Sequence, residues 1–179
     1  QNEQEKISID AAYEKMLTLT RLAFPTVSIE AFEVTHSYCP GTYDLSINGK
    51  KFAGIAQRRI KNGISVMMYV SVNGAQQTRG QAMKRFYQEA LKEDFGTNGY
   101  PAVVPESMAT LADLLETPLT IEDVKQQFQL ALTQLYGESR SVDALCWKEA
   151  HVTSEQWTDQ INRMEERNKL KELADDYSL

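Results

Sequence analysis

Three Asn-Gly pairs, Asn48-Gly49, Asn62-Gly63 and Asn73-Gly74, lie close together in a chain of 179 residues. Asn-Gly suits the positive φ angles of a type I′ hairpin turn, so each pair marks a point where an extended segment can reverse on itself. The residues between them have strand character. Tyr43, Leu45 and Ile47 alternate with Asp44, Ser46 and Asn48, the period of a strand with one buried face. Strands are predicted at about 43–48, 51–60 and 64–72, joined by two hairpins into an antiparallel meander. The last of them, ISVMMYVSV, is apolar enough for a central position. An earlier strand is predicted over residues 28–34, SIEAFEV, from its β-branched and aromatic side chains.

Helical spacing frames this sheet. Ile9, Ala12, Tyr13, Met16 and Ala23 share one face of a first helix, with Ser8 or Asp10 as cap and Pro25 as stop. Thr78 and Gln81 read as a capping box for a helix whose Met83, Phe86, Tyr87, Ala90 and Leu91 would cover the sheet. A short helix near 108–115 and a longer one at 121–136 follow, the latter with Val124, Phe128, Ala131, Leu132 and Leu135 inward and Gly137 as C-cap. Thr153 and Gln156 open a final helix. Tyr69, Phe86, Tyr87, Trp147 and Trp157 are expected to pack in the core. The fold class expected is α+β, an antiparallel or mixed sheet with a hairpin meander packed by helices.

Composition narrows the function classes. A net charge of −6 argues against a protein whose main task is holding nucleic acid. The only cysteines are Cys39 and Cys146 and the only histidines His36 and His151, with no zinc, EF-hand or H-E-x-x-H spacing, so no metal is expected. No apolar run is long enough to span a bilayer and no signal-peptide layout is seen, so a cytoplasmic location with reduced thiols is expected. No Gly-rich phosphate loop suggests a nucleotide cofactor, and none is expected.

Candidate chemistry gathers around the first hairpin. A two-residue Asn48-Gly49 turn pairs Ile47 with Lys50, Ser46 with Lys51, Leu45 with Phe52 and Asp44 with Ala53. Lys51 then shares a face with Asp44 and Ser46, while Tyr43, Leu45, Ile47 and Phe52 form the core face. Gly54 in the returning strand suggests a close approach by a ligand or another backbone. The competing reading of Lys51 and Asp44 is a solvated ion pair worth at most about 1 kcal/mol. Cys39 stands beside the Pro40-Gly41 turn, on a loop, where it is either a nucleophile or an inert thiol. A regular hairpin would hold it about 20 Å from Lys51 unless that turn folds the loop back over the sheet. A His36–Cys39 dyad is disfavoured, because residues three apart on an extended segment point to opposite sides. Gln57, Arg58, Arg59 and Lys61 form a basic cluster, either a solvated strand end or a dock for an acidic partner.

The run YDLSINGKKFAGI, residues 43–55, resembles the biotin/lipoate protein ligase superfamily, with its aspartate-bearing strand, tight hairpin and K-φ-x-G. Tyr43 stands where that pattern usually has asparagine. The longer YCPGTYDLSINGKKFAGIAQRR, with the later YPAVVPESMATL, is similar to the cysteine-dependent octanoyltransferases of Gram-positive bacteria. That resemblance implies octanoyl transfer from a lysine of the glycine cleavage H protein to lipoyl domains of 2-oxoacid dehydrogenase E2 subunits, through a cysteine thioester and without ATP. It implies Cys39 as nucleophile and Lys51 as its partner, with Asp44 beside that lysine. From the readings of the strand and the basic cluster, Gly54 and Gln57 are expected with Asp44 at the substrate, and Arg58, Arg59 and Lys61 are expected to dock the partner protein. The alternatives are octanoyl transfer from acyl carrier protein to the H protein, an ATP-dependent lipoate or biotin ligase, and a non-catalytic lipoyl-domain binding module. The family's upstream, S-G-G-containing half has no counterpart before Ser8. Residues 1–137 are therefore expected to be the C-terminal part of the catalytic domain, 138–179 a helical segment packed on it, and the chain by itself nearly inactive.

Overall fold

The computed structural model describes residues 7–60, 63–137 and 152–167. Two compact units are present, Gln1–Ser139 and Arg140–Leu179. In the first, helix α1 (Ile9–Ala23) precedes strands β1 (Glu30–Ala31), β2 (Leu45–Ile47), β3 (Lys50–Ile60) and β4 (Gly63–Val70), then helices α2 (Gln76–Leu91), α3 (Leu111–Leu114) and α4 (Ile121–Tyr136). The strands form one antiparallel sheet in the order β1-β2-β3-β4. In the second unit, helix α5 (Ser154–Arg167) begins with the expected reciprocal cap: Gln156 N–H donates to Thr153 Oγ1 at 3.2 Å and Thr153 N–H to Gln156 Oε1 at 3.0 Å. No helix among the described residues is long and apolar enough to cross a membrane.

Local chemistry explains most element ends. Ser8 Oγ accepts from Ala11 N–H at the start of α1, and that helix stops at Ala23, before Pro25. Thr110 and Thr120 each make a complete capping box, with Asp113 and Asp123. Hydrogen bonds from the Thr120 hydroxyl and N–H hold the Asp123 carboxyl below its ordinary range. The Asn48-Gly49 turn has φ of +52° and +74°, as a type I′ turn needs, and Ile47 faces Lys50 across it. Gly137 ends α4 at φ +77°.

The core lies between one face of the sheet and helices α1 and α4. Leu17, Ala23, Phe24, Ile29, Leu45, Ile47, Phe52, Ala53, Leu111, Val124 and Ala131 form one buried cluster, with Ile55, Met68 and Val70 packed against it. Phe24 and Phe128 meet edge to face at 5.7 Å.

Several expectations need correction. The strand predicted over 28–34 shrinks to Glu30–Ala31, because beyond it the backbone turns to Asp44: Phe32 N–H donates to its carbonyl and Val34 N–H to its carboxylate. Helix α2 starts at Gln76, two residues before the predicted Thr78 cap, and its N-cap Ala75 makes no side-chain cap bond. Nor does α2 cover the sheet. It packs on the turn at Pro105–Ser107, and Phe86 is exposed. Strand β4 is at an edge of this sheet rather than central, and Ile64, Met67 and Tyr69 are exposed. Its apolar residues serve two faces, of which only the one bearing Met68 and Val70 meets the core. Trp157 is exposed as well, and Trp147 lies outside the described residues.

The approach of α2 to the Pro105 turn depends on a missing side chain. A Cβ at Gly80 would stand 2.9 Å from Pro105 Cβ and 3.0 Å from its Cα. Alanine would gain roughly 1 kcal/mol of helix propensity, but overpacking against backbone costs about 1–3 kcal/mol. Gly80→Ala is therefore expected to lower the urea midpoint at unchanged m-value; an equal or higher midpoint would show that the turn yields freely.

Candidate active site

Lys51 is buried near the start of β3, and its ammonium sits inside a ring of oxygens. Nζ lies 2.8 Å from Asp44 Oδ1 and donates to Cys39 O at 2.8 Å, Ser37 Oγ at 3.1 Å and Tyr38 O at 3.4 Å. The side chains of Lys51 and Asp44 are only 9% and 3% exposed, so the reading as a solvated pair fails. A buried pair is tolerated when hydrogen bonds satisfy what the ion pair leaves over. Both partners meet that condition, since Asp44 Oδ2 also accepts from Gly41 N–H at 3.1 Å and Val34 N–H at 3.3 Å.

The same contacts fold the cysteine loop back over the lysine. The carboxylate of Asp44 holds the two ends of the loop, Val34 and Gly41, and Lys51 holds its middle by main-chain carbonyls. Within the loop Ser37 N–H donates to Val34 O and Asp44 N–H to Gly41 O, so the chain reverses sharply on either side of Cys39. Cys39 is exposed and adopts φ +49°, a left-handed conformation uncommon for a residue with a Cβ. The segment YPAVVPESMATL clamps this assembly from the side. Val104 N–H donates to His36 O, Ala109 N–H to Lys51 O, and Met108 runs parallel beside Lys51.

A β-bulge sets which residues join the lysine. The ladder pairs Ser46 with Lys51 but Leu45 with Ala53, so Phe52 is an extra residue, and the expected pairs Leu45–Phe52 and Asp44–Ala53 do not form. Phe52 and Ala53 both enter the core, and the parity of the strand changes after them. Gly54 consequently lies on the Lys51 side. A Cβ there would sit 3.6 Å from Lys51 Cε and 3.8 Å from both Nζ and Asp44 Oδ1. The face assignment of Lys51, Asp44 and Ser46 holds despite the changed register. Tyr43 is half-buried and stacks on Tyr13 with ring centroids 4.6 Å apart. Partial burial, and then the carboxylates of Asp10 and Glu14, raise its phenol above the ordinary value.

Cys39, Asp44, Lys51 and Gly54 are thus brought together, and other predicted residues are not. The Gln57 amide donates to Ile9 O at 2.9 Å, and Arg59 donates to Gln57 Oε1, Ile7 O and Ser8 O. Strand alternation beyond the bulge sends these two side chains to the α1 side, where they tie down the lead-in to that helix. Gln57, expected at the substrate, and Arg59, expected in a docking patch, thus lie on the face of β3 opposite Gly54. Arg58 is exposed and alternates onto the Gly54 face; Lys61 lies outside the described residues. His36 is exposed and contributes its carbonyl to the scaffold. Sequence reasoning missed Ser37, whose buried hydroxyl accepts from Lys51, because a lone serine in a loop carries no pattern.

Two substitutions separate the polar groups that hold the site from one that does not. Lys51→Met strands the Asp44 carboxylate in the interior and is expected to cost about 3–5 kcal/mol in denaturant unfolding. The hydroxyl of Ser46, buried across from Lys51, finds no hydrogen-bond partner among the described residues. Ser46→Ala is expected to be neutral or slightly stabilising in the same titration. Equal losses from the two would contradict this assignment.

Residues 1–133 match the family described as lipoyl protein ligase A/B catalytic domain. The chain is 44% identical over 168 residues to the octanoyl-[GcvH]:protein N-octanoyltransferase of Exiguobacterium sibiricum, covering 93% of this chain and 60% of that one. It is 43% identical over 138 residues to the enzyme of the same name from Lysinibacillus sphaericus, covering 76% and 50% of the two chains. With that of Macrococcus caseolyticus it shares 43% over 170 residues, covering 92% and 59%. The chain thus spans half to three-fifths of the length of these curated relatives. The chain belongs to the lipoyl protein ligase A/B catalytic domain family.

Proposed function

We propose that this chain carries the nucleophile and proton-transfer centre of an octanoyl amidotransferase, which moves octanoyl from a lysine of the glycine cleavage H protein to lysines of E2 lipoyl domains. The observation that carries this reading is the 2.8 Å bond from Lys51 Nζ to the carbonyl of Cys39, which joins an exposed thiol's loop to a buried ammonium. The names of the relatives supply the donor, the octanoylated H protein.

The chemistry balances in two steps. Cys39 thiolate attacks the carbonyl of the octanoyl amide; the C–N bond breaks, and the departing lysine nitrogen takes a proton from the Lys51 ammonium, leaving an octanoyl thioester and neutral Lys51. A neutral acceptor lysine then attacks the thioester, its nitrogen gives a proton to Lys51, and Cys39 leaves as thiolate. No nucleotide is consumed. Lys51 has three protons and four surrounding oxygens, so the long contact to Tyr38 O is the one most easily exchanged for a substrate nitrogen. Asp44 keeps the amine pointed at the loop in both protonation states. Gly54 leaves the approach to Lys51 free of a side chain, so we assign it to the substrate passage. Arg58 on the same face is assigned to an acidic partner surface, a steering contribution to encounter. A cytoplasmic location and the absence of a cofactor belong to the same reading.

Intact-mass analysis of the natural full-length protein mixed with octanoyl-H protein is the direct test. An octanoyl adduct is expected without ATP, absent in Cys39→Ala, and formed at least about a hundredfold more slowly in Lys51→Met, the usual scale of a lost general acid. Persistence of the adduct in Cys39→Ala would eliminate the nucleophile assignment, and an ATP requirement would favour a ligase.

A further inference from the structure

A buried polar chain that the proposed reaction does not use leads from helix α2 to the cysteine loop. Gln76, the first residue of α2, is 4% exposed. Its Oε1 accepts from Ser71 Oγ at 2.7 Å and from Arg79 Nη2 at 2.8 Å, and its Nε2 donates to the Tyr38 hydroxyl at 3.1 Å. Arg79 Nη2 also reaches Ser71 Oγ at 2.8 Å and Asn73 O at 3.4 Å. The amide cannot be turned round without loss, because a guanidinium has only donors and must meet the oxygen. Arg79 therefore dictates that Gln76 presents an N–H to Tyr38.

Tyr38 is the residue before Cys39, and its carbonyl faces Lys51. Its ring is held by this hydroxyl bond, and the main chain that follows it is held by the lysine at the Cys39 carbonyl. We infer that Gln76 is a positioning residue, which through the Tyr38 hydroxyl holds the left-handed Cys39 backbone against Lys51 and thereby keeps the thiol reactive. The position costs strain at Cys39, so it persists only where surrounding contacts over-determine it. The Lys51 contacts supply one side of that constraint and Gln76 the other. Gln76 is also why α2 begins where it does: its side chain is drawn inward to Tyr38, Ser71 and Arg79, and the helix starts there without a side-chain cap.

The inference deepens the transferase reading at the same site, and its test needs no acyl donor. Cys39 is already exposed, so loosening its loop does not improve reagent access. Loosening instead frees the Cys39 main chain from the Lys51 ammonium that its carbonyl accepts from, and a cysteine carried away from a cation loses reactivity. Site-resolved alkylation of the whole chain by iodoacetamide, with Cys146 in the same digest as reference, is expected to slow at Cys39 in both Gln76→Leu and Tyr38→Phe. The expected slowing is about three- to tenfold, the span for one lost hydrogen bond. The double variant is expected to be no slower than the slower single one, since both cut the same link. Gln76→Glu is expected to restore most of the rate: one oxygen still accepts from Ser71 and Arg79, and the Tyr38 hydroxyl can donate to the other. Unchanged alkylation in Gln76→Leu, additive effects of the two substitutions, or failure of the glutamate to restore the rate would each overturn the inference. A wild-type protein that takes up no octanoyl while these variants slow alkylation would refute the transfer reading and leave this one standing.

Discussion

The ion pair between Lys51 and Asp44 is the constraint on which the site depends. Two charges withdrawn from water are costly, and their mutual attraction compensates only when every remaining proton and lone pair finds a partner. Here the partners come from the loop between β1 and β2: Val34 and Gly41 N–H on the carboxylate, Ser37, Tyr38 and Cys39 oxygens on the ammonium. The loop cannot leave without exposing an unsatisfied charge, and the charges cannot be buried without the loop. This mutual dependence gives a segment with almost no regular secondary structure a defined conformation.

Legibility in the sequence followed the range of the interaction. The first hairpin was readable because its turn and its alternation are local: Asn48-Gly49 takes positive φ at both residues, and Lys51, Asp44 and Ser46 share a face as their spacing implies. Caps at Ser8, Thr153 and Gly137 were readable for the same reason. The β-bulge at Phe52 was not. Its cause is that both Phe52 and Ala53 fit the core, a packing fact with no local signature. The start of α2 was misjudged because Gln76 is committed to Tyr38 and Ser71, both outside the helix, as well as to Arg79 within its first turn. Gln57 and Arg59 looked like surface charge and amide, yet they serve the backbone at Ile7–Ile9, some fifty positions away in the chain. The family resemblance named Cys39 and Lys51; only the folded chain shows what brings their segments together.

The two faces of the β3–β4 hairpin carry different duties. Ile55, Met68 and Val70 supply packing on one side, while the other presents Gly54 beside Lys51 and, farther along, exposed Met67, Tyr69 and Arg58. The single inserted residue at the bulge makes this division possible. It admits a large aromatic to the core at the point where the strand must also deliver a lysine and a glycine to the opposite surface.

Lys51 grips the cysteine loop by carbonyl oxygens, which every amino acid possesses, rather than by the side chain at position 39. Where the side chain at position 39 stands is therefore encoded separately from what that side chain is. A serine or alanine at position 39 would inherit the same main-chain tethers, so the side chain presented there can be exchanged while the architecture around it stays intact. Such a division lets a lineage built on this scaffold change the group it presents at this point by changing one side chain, without redesigning the loop that carries it.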